Sequence, residues 1–281
     1  MDIVPESVWK RILTNLIENK GVTLLLGESD TGKSFLARYL IKGLLIKNIK
    51  VSLIDTDIGQ SSLAIPGTIS MRTFKILNDL DDFSAEKMFF IGSVNAVKRM
   101  SAIVEGTKKM VKLSKKESDA IIIDTTGLVE GEIGKKLKLS KIKAVMPNHL
   151  IAVQRNDELE HILSDIDNVT IYRIKVSSHV KIRSREDRVI YRNKRLKNYF
   201  EANITVEFTL ERERVKFFYN DIELYMGDKY IIEGSVIGLN HDENTIALGM
   251  VIGSDSDSII FESPVKSLKR VNRVVLGEIS V

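Results

Sequence analysis

The sequence predicts an α/β fold, in which a mostly parallel sheet carries helices on both faces, followed by a small C-terminal all-β domain. Short apolar runs typical of buried strands alternate with helical patterns up to about residue 200. Beyond that point the chain shows short β-like runs between turn residues, with no helical period. We therefore predict a first domain over 1–202 and a β-rich domain over 203–281.

The elements of the first domain follow from hydrophobic periodicity and turn signals, taken in chain order. Apolar residues at helical spacing predict helices at 5–19, 33–47, 97–115, 131–145 and 156–166. Six strands are predicted in the segments GVTLLL, KVSLID, KMFFIG, DAIIID, HLIAVQ and NVTIYRI. Ligands of such sheets bind at the carboxyl ends of the strands, so we expect the functional residues there.

The β-rich domain is predicted as a barrel or sandwich without a catalytic signature. Its strands are expected in the runs ITVEFTL, RVKFFY, YIIEGSVIGLN, TIALGMVIGS and SIIFES.

Composition excludes several classes of site. The 281 residues contain no cysteine, which removes disulfides, thiolate metal sites and cysteine nucleophiles and favours a reducing compartment. The four histidines show no metal-ligand spacing. No apolar run is long enough to span a bilayer and the N-terminus does not resemble a secretory signal, so we expect a cytoplasmic protein without a membrane partner.

A phosphate-binding loop follows the first predicted strand. The segment GESDTGKS fits the pattern G-x-x-x-x-G-K-[ST] and opens a predicted helix, which predicts a P-loop NTPase-type fold and a bound nucleoside triphosphate. In this motif the lysine, Lys33, bridges the β- and γ-phosphates and the serine, Ser34, ligates Mg²⁺. The predicted nucleotide-binding residues are Gly27, Glu28, Ser29, Asp30, Thr31, Gly32, Lys33, Ser34 and Phe35.

Carboxylates end two of the predicted strands. Asp55 and Asp57 end the second strand and Asp124 ends the fourth, so each is a candidate for holding the metal or accepting a proton. For Asp55 a strand-end cap is the alternative. Which of the three serves the metal and which the proton stays open at this point.

The segment DTTG also fits the D-x-x-G element of GTPases, which raises an alternative function: a P-loop ATPase or GTPase switch, or a scaffold that binds nucleotide only. Two absences count against it. The chain has no N-K-x-D guanine reader after HLIAVQ, and the loop position occupied by lysine in partitioning ATPases is Glu28.

A basic segment precedes the β-rich domain. Residues 171–200 carry ten Lys and Arg against one Glu and one Asp, which predicts an anionic partner such as nucleic acid, with a solvated helix face as the alternative. The residues from about 180 to 200 are predicted as a basic lid helix. Arginines at helical spacing share one face of it, and one of them is suited to act on the transferring phosphoryl group. These are Arg185, Arg188, Arg192 and Arg195.

Four segments together resemble the polynucleotide 5′-hydroxyl kinases of the RNA-processing type, the family of the mRNA cleavage-factor kinase and the ribosomal-RNA-processing kinase. DTDIGQSSLAIPGT is similar to the family's D-x-G-Q…P-G-T element, and FFIGSVNAVKR to its substrate clasp. DTTGLVEG resembles its T-x-G-W element, and VKIRSREDRVIYRNKRLKNYF its lid, where two arginines five residues apart contact phosphates.

The resemblance implies a kinase that transfers the γ-phosphate of ATP, with Mg²⁺, to the 5′-hydroxyl of RNA or DNA. The catalytic residues would be Lys33, Asp57 as the base, and the lid pair Arg183 and Arg188. The metal would be held by Ser34, Asp57 and Asp124. The substrate would be bound by Gln60, Gly92, Ser93, Thr126, Gly127, Leu128 and Arg192.

Two departures from the family pattern accompany the resemblance. The tryptophan of T-x-G-W, which stacks on a substrate base in the family, is replaced by Leu128, for which core packing is the alternative role. The phosphate loop begins at residue 27, so we do not expect the family's large N-terminal β-domain. We expect a minimal, prokaryotic-like form of the family.

Overall fold

The computed structural model describes residues 6–201, 204–220, 222–224, 231–255 and 257–280. Six α-helices lie within these ranges: α1 (Ser7–Glu18), α2 (Lys33–Ile46), α3 (Met100–Ser114), α4 (Gly131–Val145), α5 (Glu160–Leu163) and α6 (Arg185–Glu201). Short 3₁₀ helices cover Leu77–Asp81 and Arg212–Arg214. The strands up to residue 200 are β1 (Val22–Leu26), β2 (Val51–Thr56), β3 (Thr68–Phe74), β4 (Lys87–Phe90), β5 (Ala120–Thr125), β6 (His149–Gln154) and β7 (Thr170–Lys175). The later strands are β8 (Val206–Glu211), β9 (Lys216–Tyr219), β10 (Ile222–Leu224), β11 (Ser235–His241), β12 (Asn244–Ser254), β13 (Ser258–Ser263) and β14 (Arg273–Ser280).

The strands of the first half form a mostly parallel sheet in the order β4-β3-β2-β5-β1-β6-β7. The five strands β2, β5, β1, β6 and β7 are parallel to one another. The exception is β3, which pairs antiparallel with both β2 and β4 and which the sequence prediction missed. The predicted fold class is confirmed, and the carboxyl ends of β1, β2 and β5 meet at one edge of the sheet.

Helices cover both faces of this sheet, as predicted. All five residues of β1 are buried, and alternate residues serve different cores: Leu24 and Leu26 join one cluster and Leu25 joins the other. The first cluster includes Ile103 of α3 and Leu137 of α4, whereas the second includes residues of α1 and α2. A strand buried on both faces needs apolar residues at every position, which explains the continuous apolar run in the sequence.

Two helices are shorter than predicted. The helix predicted over 156–166 is confined to α5, because the Glu158 carboxylate accepts hydrogen bonds from the backbone N–H groups of Arg155 and Asn156 and holds a turn there. The predicted lid helix begins at Arg185 rather than near 180. Ser184 and Asp187 exchange side chain–backbone hydrogen bonds of 3.0 Å, the capping-box arrangement that starts a helix.

The C-terminal strands extend the sheet rather than stand apart from it. Strand β12 pairs with β4 through Thr245 and Met88, and the Phe90 N–H donates to the Thr245 hydroxyl at 2.9 Å. Beyond β12 the order continues through β11, β14, β9 and β10, while β13 and β8 branch from β12. The predicted boundary at 202–203 lies outside the described residues, and the division into two domains stays a prediction. No described helix is both long and apolar enough to cross a membrane.

Candidate phosphoryl-transfer site

The phosphate loop lies between the end of β1 and the start of α2. Gly27 has a φ of 155°, and a Cβ at this position would stand 2.5 Å from the Val153 carbonyl oxygen, so a side chain has no room. Gly32, with a φ of 88°, precedes the first turn of α2 in the left-handed region. The loop therefore curls tightly against the sheet and delivers the N-terminus of α2, which favours bound anions.

Lys33 points into the loop. Its ammonium donates to the Glu28 carbonyl at 2.5 Å and lies 3.4 Å from the Thr31 hydroxyl, and the residue is 6% exposed. Burial lowers the pKa of Lys33, although the negative charges of Asp124 and Asp57 oppose this shift. A positive charge is thus held inside the curl of backbone where phosphate oxygens bind in loops of this type.

Ser34 and Asp124 form the part of the site that suits a metal ion. The Ser34 hydroxyl donates to Asp124 Oδ2 at 2.5 Å, whereas Asp124 Oδ1 is buried and has no hydrogen-bond partner among the described residues. Burial raises the pKa of Asp124, with Lys33 opposing. A hydroxyl beside a carboxylate oxygen that lacks a partner fits the partial oxygen shell by which Mg²⁺ is bound together with substrate phosphates.

Asp55 and Asp57 have different surroundings. Asp55 is buried and its carboxylate accepts from the backbone N–H groups of Asp57, Ser62 and Leu63 and from two serine hydroxyls. Burial, and then the charges of Asp124 and Asp57, raise the pKa of Asp55 to about 6. It therefore organises the loop after β2, which favours the strand-end cap over a metal or proton-transfer role.

Asp57 is half-buried and holds a turn with one of its oxygens. Its Oδ1 accepts from the N–H groups of Gly59 and Gln60, each at 3.0 Å. The interactions of Lys33 with both Asp57 and Asp124 indicate that these three charges share one site. Asp57 is also more exposed than Asp55 and Asp124, which are both buried.

The segment after β5 packs directly on the phosphate loop. A Cβ at Gly127 would lie 2.2 Å from the Ser29 backbone nitrogen, so only glycine allows this contact. Thr126 and Leu128 are half-buried on either side, and Leu128 packs against the core cluster beneath α3 and α4. This packing agrees with the alternative role of Leu128 as a core residue. The side chain is also partly exposed, and its contact with the substrate stays a prediction.

The predicted lid arginines lie on the phosphate loop. Arg188 Nη2 donates to Asp30 Oδ2 at 2.6 Å, and Arg183 donates to the same carboxylate through its backbone N–H at 3.1 Å and its Nε at 3.3 Å. Burial alone would raise the pKa of Asp30, but its hydrogen bonds and the positive charges of both arginines lower it. Gln60 joins the contact, because its Nε2 donates to the Arg188 carbonyl at 3.3 Å.

The C-terminal half of the lid helix is anchored by contacts that do not involve Asp30. The Tyr191 hydroxyl donates to the Ser61 carbonyl at 2.8 Å, and Arg195 Nε donates to the Ala64 carbonyl at 3.0 Å. Leu196 and Phe200 are buried in a cluster shared with the C-terminal strands. Arg195 is therefore a structural residue of the arginine face. Arg192 is half-buried, Arg185 is exposed, and their predicted roles remain predictions.

The predicted clasp lies between the loop after β2 and the last strand. The N–H of Gly92 donates to the Gly67 carbonyl, and the Gly92 carbonyl accepts from the Glu278 N–H at 2.6 Å. Ser93 is 3% exposed and its hydroxyl donates to Glu278 at 3.1 Å. The predicted substrate role of both residues stays a prediction, and in this state the Ser93 hydroxyl is occupied by a carboxylate of β14.

Sequence analysis missed three charged residues of the site. Arg155 follows β6 and braces the loop: it donates to the Glu28 carboxylate at 3.0 Å and to the Asp30 carbonyl at 2.9 Å. Lys138 and Lys141 of α4 are fully buried beneath the site. Lys138 donates to the Thr125 hydroxyl at 2.9 Å and to the Thr126 carbonyl, and Lys141 donates to the Thr56 hydroxyl at 2.7 Å.

The burial of Lys138 and Lys141 could have been predicted from their positions on the helix. They lie four and seven residues after Gly134, on the face that also buries Val145. They balance the carboxylates above them. Burial lowers the pKa of Lys138 well below its usual value, and it lowers the pKa of Lys141 to about 8, with Asp57 opposing.

The depressed pKa of Lys141 predicts a pH-dependent stability. Between pH 8 and 10.5 the unfolded chain binds this proton and the folded chain does not, so the free energy of unfolding rises with pH across that range. Relative to Lys141→Met, the wild-type protein is expected to gain about 3 kcal/mol between these two pH values. Denaturant unfolding at several pH values measures this difference. Lys136→Met, at an exposed position of the same helix, is the control, and curves that stay parallel for wild type and Lys141→Met would contradict the burial argument.

Known proteins resemble this chain over most of its first 202 residues. The profile of the family described as "mRNA cleavage and polyadenylation factor CLP1 P-loop" matches residues 27–202. A protein of Pyrococcus abyssi named polyribonucleotide 5′-hydroxyl-kinase is 39% identical over 189 residues, which cover 67% of this chain and 53% of the relative. Its namesake from Pyrococcus horikoshii is 35% identical over 198 residues, covering 69% and 54%. The chain thus spans about half the length of these relatives.

A solved structure extends the comparison to the fold of the C-terminal strands. The structure of the wild-type Clp1p–Pcf11p complex contains a chain that superposes with a TM-score of 0.75 at 12% identity, covering 97% of this chain and 78% of that one. At this identity the likeness concerns the fold alone. The family profile matches more than half of the chain, and the matched segment includes the phosphate loop. The resemblance that the motifs predicted is confirmed, and the chain belongs to the family of the mRNA cleavage and polyadenylation factor CLP1 P-loop.

Proposed function

We propose that this chain is an ATP-dependent polynucleotide 5′-hydroxyl kinase, which transfers the γ-phosphate of ATP to the 5′-hydroxyl of RNA or DNA. The observation that carries the proposal is the convergence of Arg183 and Arg188 on Asp30 of the phosphate loop. Two guanidinium groups on a carboxylate beside the P-loop lysine lie where they can exchange that carboxylate for the phosphates of a bound nucleotide. The printed names of the Pyrococcus relatives support the same activity.

In this proposal the loop amides and Lys33 bind the β- and γ-phosphates of ATP. Ser34 and Asp124 hold Mg²⁺, which when bound neutralises the charge that develops on the phosphate oxygens. Asp57 accepts the proton of the attacking 5′-hydroxyl, and Gln60 orients the reacting groups beside it. Arg183 and Arg188 stabilise the charge of the phosphoryl group during transfer. The expected cytoplasmic location also stays a prediction.

The test is a transfer assay with γ-labelled ATP. The chain is incubated with Mg²⁺ and an oligonucleotide that carries a 5′-hydroxyl, in RNA and DNA versions, and with a matched oligonucleotide whose 5′ end is already phosphorylated. We expect label on the 5′-hydroxyl oligonucleotide only. Release of labelled phosphate to water, with none on either oligonucleotide, would instead support a nucleotide-hydrolysing switch or scaffold.

Replacement of Asp57 by asparagine is expected to lower kcat by a factor of about 100 to 10,000, the usual range for loss of a general base. The amide keeps an Oδ1 that accepts from Gly59 and Gln60, so the turn survives while proton acceptance is lost. ATP affinity is expected to change little, and single-turnover transfer with titration of a fluorescent ATP analogue measures both. If Asp55→Asn or Asp124→Asn reduced kcat more while leaving the fold intact, the base would be assigned wrongly.

A further inference from the structure

A cavity outside the phosphoryl-transfer site lies between α3 and the C-terminal strands. It has a volume of about 760 Å³ and is bounded by α3, the end of β4, and residues of β11 and β14. Part of its wall is apolar, formed by Phe89, Leu113 and Val275. Such a cleft, with apolar and polar walls, has the size and character of a ligand site.

The charge of the cavity is strongly positive. Six basic side chains line it against two acidic ones, Glu105 and Glu243, which leaves a net charge of +4. Only one of the basic groups is paired with either carboxylate, since Lys109 lies 3.5 Å from Glu243. The basic residues are Arg99, Lys108, Lys109, Lys112, Lys116 and Arg273.

Buried polar groups in the cavity wall lack hydrogen-bond partners among the residues that the structure describes. Arg99 has a side chain that is 6% exposed, yet its Nε and Nη2 donate to no acceptor. Its guanidinium is 3.8 Å from Glu278, an ionic contact without a hydrogen bond. Arg273 Nε and Asn240 Oδ1 are also buried and lack partners. Buried groups of this kind are costly unless a ligand or solvent satisfies them, and two of the three residues are donors that suit an anion.

The basic groups are spread along the cleft rather than gathered at one point. Arg99 stands at the start of α3 and Lys116 just beyond its end, a span of about 25 Å at the helical rise per residue. A single small anion cannot contact both ends. A chain of phosphates can, and its sugars and bases find the apolar wall between them.

The cleft also adjoins the predicted clasp. Glu278 contacts Arg99 of the cavity with one carboxylate oxygen and accepts from Ser93 of the clasp with the other. The clasp follows β4, whose carboxyl end faces the same edge of the sheet as the phosphate loop, because β4 and β2 both run antiparallel to β3. A polynucleotide that extends away from the clasp therefore meets the Arg99 end of the cleft first.

We propose that this cleft binds the phosphodiester backbone of the polynucleotide at a distance from the 5′ end that is phosphorylated. The proposal rests on the proposed kinase function for its choice of ligand. It separates two parts of substrate recognition: the phosphate loop, lid and clasp act on the terminal nucleotide, whereas the cleft along α3 adds affinity for longer chains.

The experiment compares two double variants of the full chain that carry the same change in net charge. Lys112→Glu/Lys116→Glu reverses two exposed charges of the cleft. Lys115→Glu/Lys136→Glu reverses two exposed lysines that are not part of the cavity wall. Binding of a fluorescent single-stranded oligonucleotide of about 20 nucleotides is measured without ATP over a range of salt concentrations, beside binding of a dinucleotide and of AMP.

We expect the cleft variant to bind the long oligonucleotide about tenfold more weakly at low salt. The slope of the logarithm of the binding constant against the logarithm of the salt concentration is expected to decrease in magnitude by about 1.4, because two phosphate contacts are lost. The control pair is expected to change little. Equal losses in both pairs, or none, would overturn the proposal, as would an effect on AMP alone, which would mean a mononucleotide site. This binding experiment is independent of the transfer assay described above. If the chain bound oligonucleotides through the cleft but phosphorylated none in that assay, the proposed kinase function would be wrong and the proposed binding cleft would stand.

Discussion

Replacement of Lys33 by alanine is expected to lower kcat/KM for phosphoryl transfer at least about a thousandfold, with the fold retained. The ammonium is buried within the loop and within the influence of Asp124, Asp57 and Asp30. Its removal takes away a positive charge where these carboxylates and the phosphates of ATP would lie close together. Both ATP binding and the stabilisation of charge during transfer therefore suffer.

The folded state should tolerate the change. In the structure the Lys33 ammonium contacts the Glu28 carbonyl and the Thr31 hydroxyl, and Thr31 itself donates to Glu28 at 2.9 Å, so the turn keeps one of its own hydrogen bonds. Thermal unfolding and single-turnover transfer are measured side by side, with Lys42→Ala at an exposed position of α2 as the control. Retention of more than about a tenth of the wild-type rate would contradict the electrostatic role of this lysine.

Local sequence patterns were sufficient to predict the phosphate loop and most of the elements around it. The glycines, the lysine and the serine of the loop lie in consecutive positions, and β1 and α2 flank them as the motif requires. Strand β3 was missed because its segment, TISMRTF, lacks the continuous apolar run of the parallel strands. Its antiparallel pairing follows from long-range packing, which no local pattern records.

Charged residues of the site were harder to predict, because a charged side chain in a helix or loop usually faces solvent. The sequence pattern did not single out Lys138 and Lys141, which are buried in the structure below the acidic strand ends. The loop motif predicted Asp30 as one of the nucleotide-binding residues but gave no sign of its arginine partners. Only the fold brings it within 2.6 Å of Arg188, a residue more than 150 positions later. The family resemblance identified the arginines of the lid, whereas the structure supplied their present partner.

The contact between Arg188 and Asp30 leads to the second prediction with a large expected effect. Arg188→Ala is expected to lower kcat by a factor of about 1,000 or more, with a much smaller change in KM for the oligonucleotide. In the structure the guanidinium neutralises Asp30 beside the loop. When a nucleotide is bound, the same group is expected to turn to the transferring phosphoryl group, whose charge is larger and whose oxygens it can contact in pairs. Arg183 acts on the same phosphoryl group in the proposed mechanism, but one guanidinium cannot supply the contacts of two.

Alanine at position 188 isolates the guanidinium, because the contacts that dock the lid helix are made by other groups. Gln60 donates to the backbone carbonyl of Arg188, and Tyr191 and Arg195 bind the loop after β2 independently. Lys194→Ala and Lys197→Ala, both at exposed positions of the same helix, are the matched controls. They are expected to weaken oligonucleotide binding slightly, through attraction that salt screens, and to leave kcat unchanged. Steady-state and single-turnover kinetics at low and high salt separate the two kinds of effect. If all three variants lost activity equally, and salt removed the difference from wild type, the helix would be a charged surface and Arg188 would have no part in transfer.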